Sequence, residues 1–286
     1  MTAPALSGRL GRIVESPVMQ RRHFLTLASL AALSACGGHR SRNRASTSGL
    51  HGDPVVNRPS FGDADPVSWD GRSPDAHPVH GIDVSKFQGP IDWSEARRNG
   101  VSFAFIKATE GGDRVDDLFH DHWAGAARAG VPRGAYHFFY HCRPAEEQAR
   151  WFIRHVPRSP GALPPVLDME WTPFSPTCTL RPPAHEVRAE AETFLNIVGR
   201  HYGQAPILYV PVEFWNDNQM WRVRGAGDFW LRSTAAHPAE TYDGHHWTFW
   251  QYTGTGLVPG IGGKVDINAF HGSKGAWTDW LARRSV

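Results

Sequence analysis

Two carboxylates two residues apart give the clearest chemical signal in the sequence. Asp168 and Glu170 follow the apolar residues Val166 and Leu167, and two prolines precede that short run. Side chains two apart on a strand point to the same face, so we expect both carboxylates to share one surface. Like charges held close together raise one pKa, which leaves one group as a possible acid and the other ionised. For the pair alone, a solvated acidic strand end is the simpler interpretation.

The elements that must position this pair form a repeating pattern. Beyond residue 80, short apolar runs alternate with amphipathic segments, which is typical of parallel α/β proteins. Helices clearly separate the first five strand candidates, whereas the connections among the last three strands are short and hold little helix. We therefore predict a single TIM-like β/α barrel of eight strands with reduced helices in the last third, (β/α)5(β)3-like, over residues 80–286. The predicted strands are residues 81–84, 102–108, 134–139, 166–170, 206–210, 228–231, 246–252 and 264–267.

Acidic residues recur where these strands end. Asp83 ends the first predicted strand and Glu110 follows the second, while Asp168 and Glu170 end the fourth. Asp266 lies in the eighth strand, which closes against the first. Chemistry in β/α barrels sits at the carboxyl ends of the strands. Solvation explains any one of these acids, but their shared position predicts a common acidic mouth.

The composition excludes several classes of function. Charges nearly balance, with 30 Lys and Arg against 28 Asp and Glu, and no basic stripe suggests a nucleic-acid partner. The 16 histidines are scattered without the spacing of metal ligands, so we expect neither a metal nor another cofactor. The 12 tryptophans suit either stacking on sugar rings or an aromatic core. We expect a monomer.

The first 36 residues predict a signal peptide. Arg21 and Arg22 precede an apolar run too short to span a bilayer, which resembles a twin-arginine export signal, although the general secretory route stays open. Residues 33–36, Leu-Ser-Ala-Cys, resemble the lipobox of a bacterial lipoprotein, with Cys36 as the lipidation site. A plain signal peptide with a chance cysteine is the alternative. We expect a lipid anchor at the cell envelope, on the periplasmic or outer face, and a flexible linker over residues 37–79.

Seven sequence blocks, in order, resemble glycoside hydrolase family 25 lysozymes. The fifth block reads Leu-Pro-Pro-Val-Leu-Asp-Met-Glu and contains the carboxylate pair. Together the blocks are highly specific, whereas any one alone is weak. They lie at residues 80–85, 88–93, 106–111, 134–138, 163–170, 250–252 and 265–268.

The resemblance implies an enzyme that cleaves the β-1,4 bond between N-acetylmuramic acid and N-acetylglucosamine in peptidoglycan. Glu170 matches the family's proton donor. Asp168 matches its partner, which orients the substrate's own N-acetyl group for attack on the anomeric carbon. Asp83 and Asp266 match the other two acids of the site. Configuration would be retained without a protein nucleophile.

The resemblance also implies side chains that bind the substrate. Tyr136 and Trp250 fall where family members place sugar-contacting aromatics. Glu110, in the third block, and Gln251, in the sixth, are further substrate-binding candidates. Residues 231–234, Leu-Arg-Ser-Thr, replace a segment that family members usually fill with aromatic residues ending in Tyr. The resemblance therefore does not extend to one sugar subsite.

Physical reasoning assigns the acid within the pair to Glu170. Its longer side chain reaches further into a cleft, and Met169 and Trp171 offer apolar surroundings that raise a carboxyl pKa. Cys142 and Cys178 follow the third and fourth strands, so we expect a disulfide in an oxidising compartment, with two free thiols as the alternative.

Three other functions remain open from the sequence alone. The chain could be a non-catalytic peptidoglycan-binding envelope lipoprotein, a structural link between membrane and wall, or a glycosidase for another N-acetylated polymer such as chitin. The presence of all four central acids favours catalysis.

Overall fold

A computed structural model describes residues 55–286, and all structural statements concern this part of the chain. The export signal, Cys36 and the first part of the predicted linker lie outside the described residues. None of the helices within residues 55–286 is both long and apolar enough to cross a membrane.

Residues 55–286 contain ten strands and seven α-helices. The strands are β1 (Gly62–Asp63), β2 (His80–Val84), β3 (Val101–Glu110), β4 (Arg114–Val115), β5 (Arg133–Phe138), β6 (Val166–Asp168), β7 (Ile207–Pro211), β8 (Asp228–Arg232), β9 (Phe249–Leu257) and β10 (Lys264–Phe270). The α-helices are α1 (Trp93–Arg98), α2 (Phe119–Arg128), α3 (Ala145–His155), α4 (Ala184–Tyr202), α5 (Val212–Asn218), α6 (Pro238–Thr241) and α7 (Lys274–Arg284). Short 3-10 helices cover Pro74–Ala76, Lys86–Gln88 and Met220–Arg222.

Eight of the strands close into a barrel, which confirms the predicted fold class. Their order is β2-β3-β5-β6-β7-β8-β9-β10, and β10 pairs back onto β2. The connecting helices become shorter toward the C-terminal part of the chain. Helices α5 and α6 are short, and residues 258–263 join β9 directly to β10. Such a short connection cannot make a parallel crossover, so β10 runs antiparallel to both neighbours.

The barrel interior is an aromatic core. Phe105 lies 4.6 Å from Trp230 and 5.1 Å from Phe249 between ring centroids. Trp277 and Trp280 of α7 stack at 5.4 Å and close the end of the barrel where β10 finishes. Aromatic side chains fill the interior toward the end that α7 closes. Open space for chemistry is therefore left at the opposite end, the mouth formed by the carboxyl ends of the parallel strands.

The predicted flexible linker is wrong for residues 55–79, which pack on the barrel. β1 pairs antiparallel with β9, and Phe61 and Trp69 pack against the core. Pro74 and Val79 are buried. These four apolar residues are widely spaced among polar ones, so their burial leaves no periodic signal in the sequence. We call residues 55–79 the strap, and it lies on the outer face of β9, the side where the barrel has little helix.

Candidate active site

The structure brings the predicted acids to one mouth of the barrel. Asp83 of β2 and Asp266 of β10 are direct cross-strand partners. Asp168 is the last residue of β6, so Glu170 lies just beyond the strand rather than within it. The negative charges of Glu170, Asp83 and Asp266 all reach Asp168. Four acids from the ends of three strands therefore lie close enough to influence one another's pKa values.

Asp83 is held by a network of buried hydrogen bonds. Its Oδ2 accepts from Gln251 Nε2 at 2.9 Å and from Asn268 Nδ2 at 2.8 Å. The amide oxygen of Gln251 accepts from Tyr209 Oη at 2.9 Å, and that of Asn268 accepts from Trp230 Nε1 at 2.7 Å. These outer contacts fix both amides with their NH2 groups toward Asp83. The carboxylate is thereby locked in one orientation.

The predicted role of Gln251 in substrate binding does not fit this arrangement. Gln251 is only 3% exposed, and both ends of its amide bond to protein groups. A buried amide with committed donor and acceptor atoms positions a neighbouring acid instead of contacting a sugar. The structure therefore places Gln251 behind Asp83.

Asp168 and Glu170 are both poised to hold protons. Burial first, and then the charge of Glu170, raise the pKa of Asp168 well above its usual value. Asp168 Oδ1 is buried and has no hydrogen-bond partner within residues 55–286. Burial also raises the pKa of Glu170, while the positive charges of Arg232 and Lys107 oppose that rise. The pair thus combines a proton source with an oxygen that lacks a donor.

Asp83 and Asp266 form a second coupled pair. Burial raises the pKa of Asp266 to about 6, and both Arg232 and a hydrogen bond with Asp83 limit the increase. Burial and the charge of Asp266 raise the pKa of Asp83 well above its usual value. Two carboxyl groups this close titrate as a unit, so the pair retains a proton above the pH at which isolated aspartates ionise.

Glu110 is committed to protein partners at the edge of the mouth. Its Oε2 pairs with Lys107 Nζ at 2.7 Å, and its Oε1 accepts from Tyr140 Oη at 2.6 Å. Although burial alone would raise the pKa of Glu110, the hydrogen bonds from Lys107 and Tyr140 hold it below the usual value. Glu110 therefore stays ionised at neutral pH and keeps the ammonium of Lys107 in place.

The two predicted sugar-contacting aromatics have different positions. Tyr136 faces the barrel interior beneath the acids, where burial and the charges of Asp83 and Asp168 raise its pKa well above the usual value, so its hydroxyl stays protonated. Trp250 is fully buried on the outer side of β9, and its ring packs 5.1 Å from Trp69 of the strap. The prediction that Trp250 contacts sugar is therefore wrong, because a ring without exposed surface cannot stack on a ligand.

Arg232 is a functional candidate that the sequence reasoning missed. It is the register partner of Gln251 and follows the inward-facing Trp230 by two residues, so its side chain faces the mouth. Its positive charge lowers the pKa values of Asp83, Glu170 and Asp266. The signal in the sequence is the period-two alternation from Trp230, which predicts an inward-facing side chain at residue 232.

A disulfide braces the loops beside the acidic pair. Cys142 and Cys178 are bonded, with 5.8 Å between their Cα atoms, and they link the segments that follow β5 and β6. The carbonyl of Cys178 also accepts from Thr172 Oγ1 at 2.6 Å. In the part of the chain that the structure describes, His, Cys, Asp and Glu form no group of three suited to a metal ion.

Comparisons with known proteins find similar chains over most of the barrel. Residues 82–261 match the family model described as glycosyl hydrolases family 25. The uncharacterized protein YegX of Escherichia coli K12 is 37% identical over 211 residues, which cover 71% of this chain and 73% of that protein. Lysozyme M1 of Streptomyces globisporus is 36% identical over 213 residues, which cover 70% of each chain.

A solved structure shares both the fold and the sequence. The bacterial lysozyme from Streptomyces coelicolor has a TM-score of 0.63 and 34% sequence identity, with coverage of 71% of this chain and 96% of that one. The strap precedes residue 82 and so lies outside the family match.

Proposed function

Because the chain belongs to glycosyl hydrolases family 25 and is therefore a glycoside hydrolase, we propose that it is a lysozyme acting on peptidoglycan. The bond cleaved is the β-1,4 linkage between N-acetylmuramic acid and N-acetylglucosamine. The names of the Streptomyces relatives support this substrate. The observation that carries the proposal is the pair of buried Asp168 and half-buried Glu170, whose pKa values are both raised, with an oxygen of Asp168 that has no hydrogen-bond partner within residues 55–286.

Glu170 acts as the general acid. Its raised pKa lets the side chain keep its proton to a higher pH than an ordinary glutamate does. As the bond between C1 and the leaving oxygen breaks, the proton of Glu170 passes to that oxygen. Glu170 then takes a proton from the incoming water, so the same carboxyl serves both halves of the reaction.

Asp168 positions the N-acetyl group of the substrate. Its buried Oδ1 offers an acceptor for the acetamido N–H, which would satisfy an oxygen that lacks a donor among residues 55–286. The acetamido oxygen then bonds to C1 as the leaving group departs. This bond closes a five-membered ring on the sugar. Water then attacks C1 from the side of the departed group and reopens the five-membered ring, so the configuration at C1 is retained.

Asp83 and Asp266 support the charge that develops on the sugar. The ring gains positive character as the glycosidic bond breaks, and negative charge beside it lowers the barrier. The donors Gln251 and Asn268 hold Asp83 rigidly, so little reorganisation is needed during the reaction. Tyr136 forms the floor of the mouth beneath these acids.

We further propose that the enzyme works at the cell envelope. The lipobox-like residues 33–36 and the preceding arginine pair support export and a lipid anchor on Cys36. In this organisation, residues 1–36 are the signal, residues 37–54 link the anchor to the catalytic domain, and residues 55–286 form that domain as a monomer. Replacing Cys36 by Ser should move the protein from the membrane fraction to the soluble fraction, and unchanged fractionation would contradict lipidation.

Product analysis tests the proposed reaction. Purified peptidoglycan digested by the mature protein should yield fragments with N-acetylmuramic acid at the reducing end, which mass spectrometry after reduction identifies. Reducing-end N-acetylglucosamine would indicate a different bond. Binding without any cleavage would indicate the alternative, a non-catalytic peptidoglycan-binding lipoprotein.

A further inference from the structure

Arg232 carries an uncommitted charge at the mouth of the barrel. Its side chain is half-buried, yet the guanidinium makes no hydrogen bond or ion pair with any residue between 55 and 286, where Tyr242 bonds only to the Arg232 carbonyl. Lys107, the other cation that acts on Glu170, is already paired with Glu110 at 2.7 Å. A guanidinium has five N–H donors in a fixed fork, and no nitrogen of Arg232 is among the buried atoms that lack a partner, so the fork is reachable from the cleft.

The backbone around Arg232 is rigid. Its carbonyl accepts from Tyr242 Oη at 2.6 Å, and the next amide, of Ser233, donates to the carbonyl of Gln251 at 3.0 Å. Ser233 Oγ donates to the carbonyl of Ala236 at 2.6 Å, which fixes the turn after β8. A guanidinium on such a support is positioned for recognition rather than mobile on a loop.

The acids of the mouth do not neutralise this group by direct contact. Asp83, Glu170 and Asp266 feel its charge, but within the described chain none of them forms an ion pair with it. These acids are required elsewhere, since Asp83 accepts from two amides and Glu170 is the proposed proton donor. The fork of Arg232 is therefore available to an anion carried by the substrate.

The proposed substrate carries a suitable anion close to the reacting carbon. N-acetylmuramic acid bears a lactyl ether on C3, next to the C2 acetamido group that we place at Asp168. Asp168 and Arg232 face the mouth from β6 and β8, with only β7 between them. The lactyl carboxyl is ionised in glycan that lacks a stem peptide, whereas attachment of the peptide converts it to an uncharged amide. A guanidinium fork binds a carboxylate with two parallel hydrogen bonds and gains much less from an amide.

We propose that Arg232 binds the free lactyl carboxylate of N-acetylmuramic acid, so that the enzyme prefers peptide-free glycan strands. The inference rests on the proposed lysozyme function. It makes Arg232 a determinant of specificity at the segment where the sequence departs from the family pattern. The reaction that supplies the preferred substrate is then hydrolysis of the amide bond between the lactyl group and the stem peptide.

The test compares two forms of one substrate. Peptide-free glycan strands are used either with free lactyl carboxylates or with those carboxylates converted to methylamides, and kcat/KM is measured for each form. We expect the wild type to favour the free acid by roughly 10- to 100-fold, the range for hydrogen bonds to a charged group. In Arg232→Met this ratio should fall toward 1, mainly through KM. In Lys107→Met, which removes a cation committed to Glu110, the ratio should persist.

Other outcomes separate this inference from the proposed function. If the wild type cleaves both forms with equal kcat/KM, or if Arg232→Met lowers both equally, Arg232 only tunes the acids and the inference fails while the lysozyme assignment stands. If the wild type cleaves neither form nor native peptidoglycan, the proposed function fails. Arg232→Lys provides the same test should the Met variant not fold, because it keeps the charge, loses the fork and should give an intermediate ratio.

Discussion

Burial and nearby cations separate the carboxyl groups of the mouth into different roles. Lys107 and Tyr140 hold the pKa of Glu110 below its usual value, so that group is a fixed anion. Glu170 is half-buried and accepts no such hydrogen bond within residues 55–286, and the charges of Arg232 and Lys107 oppose the rise in its pKa. A group whose pKa is raised by burial and held back by nearby cations can both release and recapture a proton, as an acid that later acts as a base must do.

Replacing Glu170 by Gln should therefore remove activity without unfolding the domain. The amide cannot protonate the leaving oxygen, so we expect kcat to fall by roughly 100- to 10,000-fold on purified peptidoglycan, measured as newly formed reducing ends. Glu186→Gln, at an exposed position on α4, is the matched control and should keep the wild-type rate. Circular dichroism should show both variants folded. Turnover by Glu170→Gln within tenfold of the wild type would rule out Glu170 as the acid.

The sequence predicted site residues correctly where they lie at the ends of converging strands. It failed where the role of a residue depends on which side of the barrel wall its side chain faces. Asp83, Asp168 and Asp266 share the mouth as their positions at strand ends predicted. Trp250 and Gln251 are neighbours on β9, so they point to opposite sides of the barrel wall and cannot both face a ligand. Applied to β9, this period-two rule excludes one of the pair, but only the tertiary structure shows that Gln251 is used to hold Asp83.

Among the elements, the loop after β6 depends on a covalent brace. The Cys142–Cys178 disulfide closes a loop with a sequence separation of 36 residues, next to the acidic pair. A cross-link of this span stabilises a folded domain by roughly 2–4 kcal/mol, because it restricts the unfolded chain. Cys142→Ala with Cys178→Ala should therefore lower the free energy of unfolding in urea by that amount. A reductant should lower the wild-type stability equally and leave the double variant unchanged; a wild type insensitive to reduction would contradict the prediction.

The strap is an integral element of the domain. Trp69 packs on the buried ring of Trp250, in a region where the barrel has no long helix outside β9. Trp69→Ala should therefore lower the free energy of unfolding by about 2–4 kcal/mol, the usual cost of removing a packed aromatic ring. Trp221→Ala is the matched control, because Trp221 is 41% exposed and should cost less than half as much. Equal effects of the two variants would show that the strap contributes little to stability.

For the whole molecule, the alternation of strands and helices was sufficient to predict the barrel. The residue at which the folded domain begins was not predictable. Strand periodicity and shrinking helices are local properties of the sequence, and they placed eight strands correctly in order. The strap has no periodicity, since Phe61 and Trp69 lie far apart among polar residues. Its docking depends on the outer face of β9, which exists only after the barrel has closed. The composition of the strap alone is therefore that of a linker.

We expect the same docking to make the stability of the whole domain sensitive to acid. His77 of the strap lies 5.4 Å from the ring of Trp247 and near two other histidines. Burial, followed by repulsion from His271, His80 and His237, lowers the pKa of His77 to about 4. An unfolded imidazole has a pKa of about 6.5, so between these values the unfolded chain binds more protons than the folded one.

The stability contributed by His77 is complete above pH 6.5 and is lost as the pH falls through about 4. Allowing for partial solvent screening, we expect about 2 kcal/mol to disappear across this interval. His77→Gln cannot titrate, so its melting temperature should fall less steeply than that of the wild type between pH 6.5 and pH 4. His120→Gln, at an exposed position on α2, should keep the wild-type slope. If wild type and His77→Gln lose stability in parallel, the acid sensitivity arises in the barrel itself, where His137 and His141 also have pKa values lowered to about 4, and not at the strap.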